Sequence, residues 1–124
     1  MEPLGAVALG RPGHDMVDNA LRAEVLKGHL DTLLLAAVSE EPAHGYLIVE
    51  RLRSRSQGAL DLGEGTVYPA LYRLEAAGLL SSRWSHEPGR KRRVYRLTDR
   101  GRAALAEGRT EWRSFVRVIE SVLS

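Results

Sequence analysis

The spacing of hydrophobic positions changes along this chain, and each change marks a predicted element. From Val17 to Ser39, Leu21, Val25, Leu26, Leu30, Leu33, Leu34, Ala37 and Val38 fall on one helical stripe, with Arg22, Glu24, Lys27 and Asp31 off it. Gly28 lies within that stripe and predicts a kink or break. Glu40-Glu41-Pro42 ends the segment, because the residue before proline is pushed out of the helical region and proline has no amide hydrogen to donate. A second helix is predicted over Ala43 to Ser54, with Leu47, Ile48 and Leu52 on its apolar face, Tyr46 at one edge and Ser56-Gln57-Gly58 closing it. Leu60-Asp61-Leu62 alternates and fits only a small strand.

Helical spacing then returns in Val67, Ala70, Leu71 and Leu74, so Thr66, Tyr68, Pro69, Tyr72, Arg73 and Glu75 face outward or lie at the flank. Pro69 sits near the start of that helix, where a missing amide costs least, and Gly78 suits the left-handed position that ends it. Leu80 to Trp84 and Val94 to Thr98 alternate, which predicts two antiparallel strands around a loop over Ser85 to Arg93. Thr98-Asp99 offers a cap for a last helix from about Arg100 to Val122. Along it Leu105, Trp112, Phe115, Ile119 and Val122 form a heptad-like seam that Val116 and Leu123 widen, and a seam that long predicts a partner helix. The expected fold is mainly α with a small β-wing: a winged helix-turn-helix over residues 17–98, followed by a long C-terminal dimerisation helix over 99–124. Residues 1–16, rich in glycine, proline and small side chains, are expected to form a flexible arm.

Composition changes this picture in one respect. The net charge is only +2, yet residues 83–102 hold eight cationic side chains against Glu87 and Asp99. The positive field is therefore local and points to an anionic partner, nucleic acid or a membrane surface. No apolar run reaches the roughly 18 residues of a spanning helix, and the apolar start lacks a basic leader, so the expectation is a cytoplasmic chain without a membrane partner. With no cysteine there is no disulfide, thiolate metal site or thiol nucleophile. His14, His29, His44 and His86 show no metal-ligand spacing, and there is no G-x-S-x-G, P-loop or G-x-G-x-x-G. No catalytic residue, cofactor or metal is expected. Arginine far outnumbers lysine, a bias that fits a GC-rich bacterial genome.

The candidate chemistry lies between Gly63 and Gly101. Arg90, Lys91, Arg92 and Arg93 read either as a solvated loop or as a wing on phosphate or in a minor groove; their place after a helix of recognition type favours the second. Thr66 and Tyr72 carry hydroxyls for phosphates or base edges, and Arg73 reaches a guanine or a phosphate. One of Tyr68 and Tyr72 has packing under the wing as its alternative. Asp61, Glu64 and Glu75 make this region slightly acidic, so attraction to DNA falls to the wing and to cations of the first helices such as Lys27. Trp112 reads as core or interface packing, with stacking on a ligand as its second reading.

Taken together, Leu26-Lys27-Gly28, Pro42-Ala43-His44-Gly45-Tyr46, Glu64 to Glu75, Gly78-Leu79, Gly89 to Thr98 and Gly101 strongly resemble the PadR family of bacterial winged-helix transcriptional regulators, over about residues 24–120. The resemblance implies a homodimeric repressor on a (pseudo)palindromic promoter operator in double-stranded DNA. It places Thr66, Tyr68, Pro69, Tyr72 and Arg73 on the recognition helix, Arg90 to Arg93 on the wing, and Tyr46 at the start of the second helix with its hydroxyl toward a phosphate. The single terminal helix resembles the family's compact branch, some members of which bind flat aromatic compounds between subunits beside a tryptophan, the position that Trp112 matches. A small aromatic effector that releases the repressor is the corresponding expectation. The first twenty or so residues depart from the family's short start and take no assignment from it. Two readings of other classes stand beside this one: a winged-helix protein–protein module that does not touch DNA, and a small-molecule carrier with an inter-subunit pocket.

Overall fold

The computed structural model describes Leu26 and residues 28–124, and from Leu30 onward the described residues form four helices and a three-stranded antiparallel sheet. The expected arm over 1–16, the start of the first predicted helix and Lys27 lie outside the described residues. A turn at Gly28-His29 precedes α1 (Leu30–Ala37), so the helical stripe does break at the glycine. The stripe continues in sequence to Ser39, but the helix ends at Ala37, two residues earlier than its pattern predicts.

Ala43-His44 departs from expectation. The pair forms a short strand, β1 (Ala43–His44), and α2 begins only at Gly45 (Gly45–Arg55). Pro42 keeps the preceding chain out of the helical region, and β1 finds a partner in β3, where Ala43 faces Tyr95 and His44 faces Val94. On α2, Ile48, Val49 and Leu52 are buried, Leu47 is half-buried and Tyr46 is exposed, so Val49 joins the core face that the spacing assigns to Leu47. Gln57 and Gly58 adopt positive φ and turn the chain as predicted, whereas Leu60-Asp61-Leu62 is irregular and forms no strand.

The third helix, α3 (Glu64–Ala76), buries Val67, Ala70, Leu71 and Leu74, the four positions its spacing selects. It stops at Gly78, whose φ of +79° is reached without cost by glycine. Strand β2 (Leu80–Trp84) pairs with β3 (Arg93–Leu97) from Leu80 opposite Leu97 to Trp84 opposite Arg93, giving the sheet order β1-β3-β2. Arg93 is thus the first residue of a strand rather than the last of the loop.

Helix α4 (Asp99–Leu123) starts under a double constraint. Thr98 Oγ1 accepts from the Gly101 amide at 3.0 Å and donates to the Gly78 carbonyl at 2.6 Å, which ties the ends of two helices together. Gly101 itself packs on the Leu79 carbonyl so closely that a Cβ would collide with the oxygen. Further along, Gly108 lies against the Thr32 side chain of α1. Leu105, placed by its spacing in the outward seam, is 3% exposed and belongs to the protomer's own core. A heptad position cannot tell the two burials apart, because both need the same apolar side chain. Asp31 to Ser124 form one compact unit whose largest fully buried side chains include Tyr95, Leu34, Ile48 and Leu71.

Candidate nucleic-acid interface

The outer face of α3, the N-terminus of α2 and the wing enclose an open cleft of about 690 Å³, lined by aromatic rings, cations and one carboxylate, Glu64. It is placed by the core just described: α3 can bury Val67, Leu71 and Leu74 only by turning Thr66, Pro69, Tyr72 and Arg73 to solvent. Pro69 stands sixth in α3, one turn beyond the position where its missing amide is free of cost. The carbonyl that goes without a helical donor is that of Gly65, an exposed glycine that water reaches.

The two tyrosines of α3 divide. Tyr72 is 57% exposed. Tyr68 is half-buried, with its phenol ring against Gly45, where an added Cβ would stand 2.5 Å from the ring. Gly45 therefore opens α2 because Tyr68 occupies the space of a side chain, and Tyr68 serves packing first. The ring centroids of Tyr68 and Tyr72 are 6.2 Å apart, and Tyr46, exposed at the second position of α2, completes the aromatic lining with Trp84.

The cations of α3 and the wing fall into two groups. Arg73 forms a salt bridge to Asp31 of α1. Arg93 donates from Nε to Ser82 Oγ at 2.7 Å, lies 3.6 Å from Glu75 Oε2, and stacks over Trp84 at 5.6 Å from the ring centroid. Ser82 Oγ in turn donates to Glu75 at 2.6 Å, so the acidic residue that weakens the field of α3 also fastens the wing to it. Arg92 Nη1 lies 2.7 Å from His44 Nε2. Arg90 and Lys91, by contrast, are exposed and have no ion-pair partner among the described residues. Of the four basic residues expected on the wing, these two are the cations it leaves fully available.

Sequence reasoning passes over His44, because its spacing excludes a metal role, yet the residue joins α2 to the wing. Its Nδ1 lies 3.2 Å from the Leu47 amide, in the capping position of α2. Its pKa is lowered from 6.5, first by burial and then by the cations Arg92, Arg51 and Arg90, which Glu87 opposes. Burial also raises the Tyr95 phenol. No group of three histidine, aspartate or glutamate side chains among the described residues is placed to hold a metal ion.

A second exposed surface lies on the far half of α4, where Trp112, Phe115, Ile119, Val122 and Leu123 stand out with half-buried Val116. Val118, which the heptad spacing leaves out of the seam, is exposed as well. The Trp112 and Phe115 rings meet at 5.8 Å between centroids, tilted by 38°. Beside them Trp112, Arg113, Val116, Arg117 and Glu120 line a shallow depression of about 270 Å³. No described helix is long and apolar enough to cross a membrane.

Comparison with known proteins agrees with this architecture. The chain is 40% identical over 86 residues to the transcriptional regulator Rv3488 of Mycobacterium tuberculosis, covering 69% of this chain and 78% of the relative. A transcriptional regulator from Clostridium thermocellum superposes with a TM-score of 0.76 at 29% identity, over 82% of this chain and 99% of the other. A PadR family transcriptional regulator from Eggerthella lenta superposes with a TM-score of 0.75 at 31% identity, over 90% and 96%. The family model described as the transcriptional regulator PadR-like family matches residues 34–107, from α1 into α4 and through the whole cleft, and the chain belongs to that family.

Proposed function

We propose that this regulator is a homodimeric repressor that binds a (pseudo)palindromic promoter operator through α3 and the wing and is released by a small aromatic ligand. The observation that carries the reading is the cleft, where hydroxyl-bearing aromatic side chains on α3 stand beside Arg90 and Lys91. A groove contact from α3 reads base edges while the wing cations neutralise phosphates, the division of labour by which such proteins combine specificity with affinity. Arg92 is held by a neutral imidazole, over which a phosphate is the stronger acceptor, while Arg73 and Arg93 rest on exposed or half-buried carboxylates that a phosphate can replace in kind.

Dimerisation is supported by the apolar half of α4. Ile119, Val122 and Leu123 on a projecting helix favour an isologous pairing with a second copy, and a two-fold dimer matches a palindromic site. The depression beside Trp112 supports the ligand, since a planar ring stacks on indole and a second copy of α4 would close the open side. Such a ligand relieves repression only as far as it binds the DNA-incompetent spacing better.

A salt titration of binding to random duplex tests the central claim. Affinity should fall steeply as salt rises, with a slope set by the phosphates contacted. Flat, weak binding would instead identify the cleft as a docking surface for another protein, and ligand affinity without any duplex binding would identify a carrier.

A further inference from the structure

His44 stands between two hydrogen-bond donors. Its Nδ1 lies 3.2 Å from the Leu47 amide at the start of α2, and its Nε2 lies 2.7 Å from Arg92 Nη1 on the wing. A neutral imidazole has one nitrogen lone pair to offer, because the other nitrogen carries the proton. The ring therefore accepts from Leu47 as the Nε2–H tautomer or from Arg92 as the Nδ1–H tautomer, never from both. A protonated ring would accept from neither, and burial together with Arg92, Arg51 and Arg90 opposes that state against Glu87 alone.

We propose that His44 is a positioning residue of the interface, whose single lone pair holds Arg92 in the free protein and passes to the α2 cap when a duplex phosphate takes Arg92. The proposal rests on the nucleic-acid reading of the cleft. Distance and charge set the free state: the contact to a guanidinium at 2.7 Å is charge-assisted, whereas the contact to a neutral amide at 3.2 Å is long. The pairing of His44 with Val94 makes the competition unavoidable, because it fixes the ring beside the strand that Arg92 enters.

A phosphate offers Arg92 a full negative charge and two acceptor oxygens, which a neutral ring cannot match. Once Arg92 leaves, the ring proton moves from Nδ1 to Nε2 through solvent, with no net change in charge, and the Leu47 amide gains its acceptor. Closing the first turn of α2 steadies Tyr46, the next residue but one after His44 and part of the cleft wall. Seating the wing and ordering the start of α2 thus become one event.

Ring-nitrogen NMR of the full, isotopically labelled chain at neutral pH tests this, with the His44 signals assigned by their loss in His44→Asn. Free wild-type protein should show Nδ1–H, and both the free Arg92→Ala variant and wild type saturated with a short random-sequence duplex should show Nε2–H. An Nε2–H tautomer in the free wild type, or one that Arg92→Ala leaves unchanged, overturns the hold on Arg92. Duplex binding without a change of tautomer overturns the hand-over alone, while failure of the wild type to bind duplex removes the nucleic-acid reading and the hand-over with it. The Asn variant adds an independent arm, since its side-chain carbonyl caps α2 but no longer restrains Arg92. Its duplex affinity should rise about two- to fivefold with a melting temperature no lower than that of wild type, and duplex binding that is unchanged or weaker would overturn the proposal.

Discussion

The cleft beside the wing and the far half of α4 are both exposed, but the cleft is satisfied in ways that can be exchanged. Arg92 and Arg93 rest on His44 and Glu75, and beside the cleft Arg73 rests on Asp31; each can exchange its partner for a phosphate without leaving an apolar group in water. The outer half of α4 offers no such trade, for Val122 is 77% exposed and its side chain has no polar atom to satisfy. A polar surface of exchangeable contacts suits a partner that comes and goes, whereas an apolar stripe suits one that stays. Salt should therefore act on the first surface and leave the second untouched.

Charging the apolar stripe should have the largest effect. Phe115→Asp with Ile119→Asp should yield monomers, and operator affinity should fall at least about a hundredfold because the second half-site loses its tether. Sedimentation decides the point, since a double variant that remains dimeric places the interface elsewhere. Leu105→Ala sharpens the contrast between the two halves of one helix. It should lower stability by about 2–5 kcal/mol through the cavity it leaves in the core, while sedimentation still reports a dimer.

How far such contrasts are legible in the sequence depends on the range of the interaction. Helix α3 and strand β2 are set by their own spacing, because Val67, Leu71 and Leu74 or Leu80 and its alternating neighbours carry a full period in a few residues. The strand Ala43–His44 is too short for any period and exists only because β3 runs past it. Leu105 carries the right hydrophobicity for either burial, and only the fold decides which neighbour it meets. The partners of Arg73 and Arg92 are 42 and 48 residues away in sequence, so which cations remain available emerges only from the folded arrangement.

A smaller effect separates the held cations from the available ones. Replacing Arg90 and Lys91 by alanine should weaken binding to operator and random duplex alike and reduce the salt slope by roughly 1 for each phosphate no longer neutralised. Arg93→Ala should change the slope less, as its guanidinium is occupied by Glu75 and Trp84. An unchanged slope in the double variant would take the wing out of the interface. The smallest signal is expected from the ligand: planar aromatic cations or phenolics should quench Trp112 emission and weaken operator binding, with Trp84 as the internal control. Trp112→Ala should abolish both responses and leave the dimer intact, and a broad panel that fails to quench at high micromolar concentration would return Trp112 to packing alone.

The close approach of Gly101 to the Leu79 carbonyl has a mechanical meaning. It clamps the base of a 25-residue helix to the chain entering β2, leaving no room for the base to slide. Leu105 and Gly108 hold the helix further along, so the free arm runs over residues 109–123 and extends about 22 Å at roughly 1.5 Å per residue. A tilt of roughly 5° at its base would carry the tip about 2 Å. Two such arms joined at their outer halves would convert a slight wedge beside Trp112 into a change of reach between the paired wings, the one dimension that DNA of fixed pitch does not forgive.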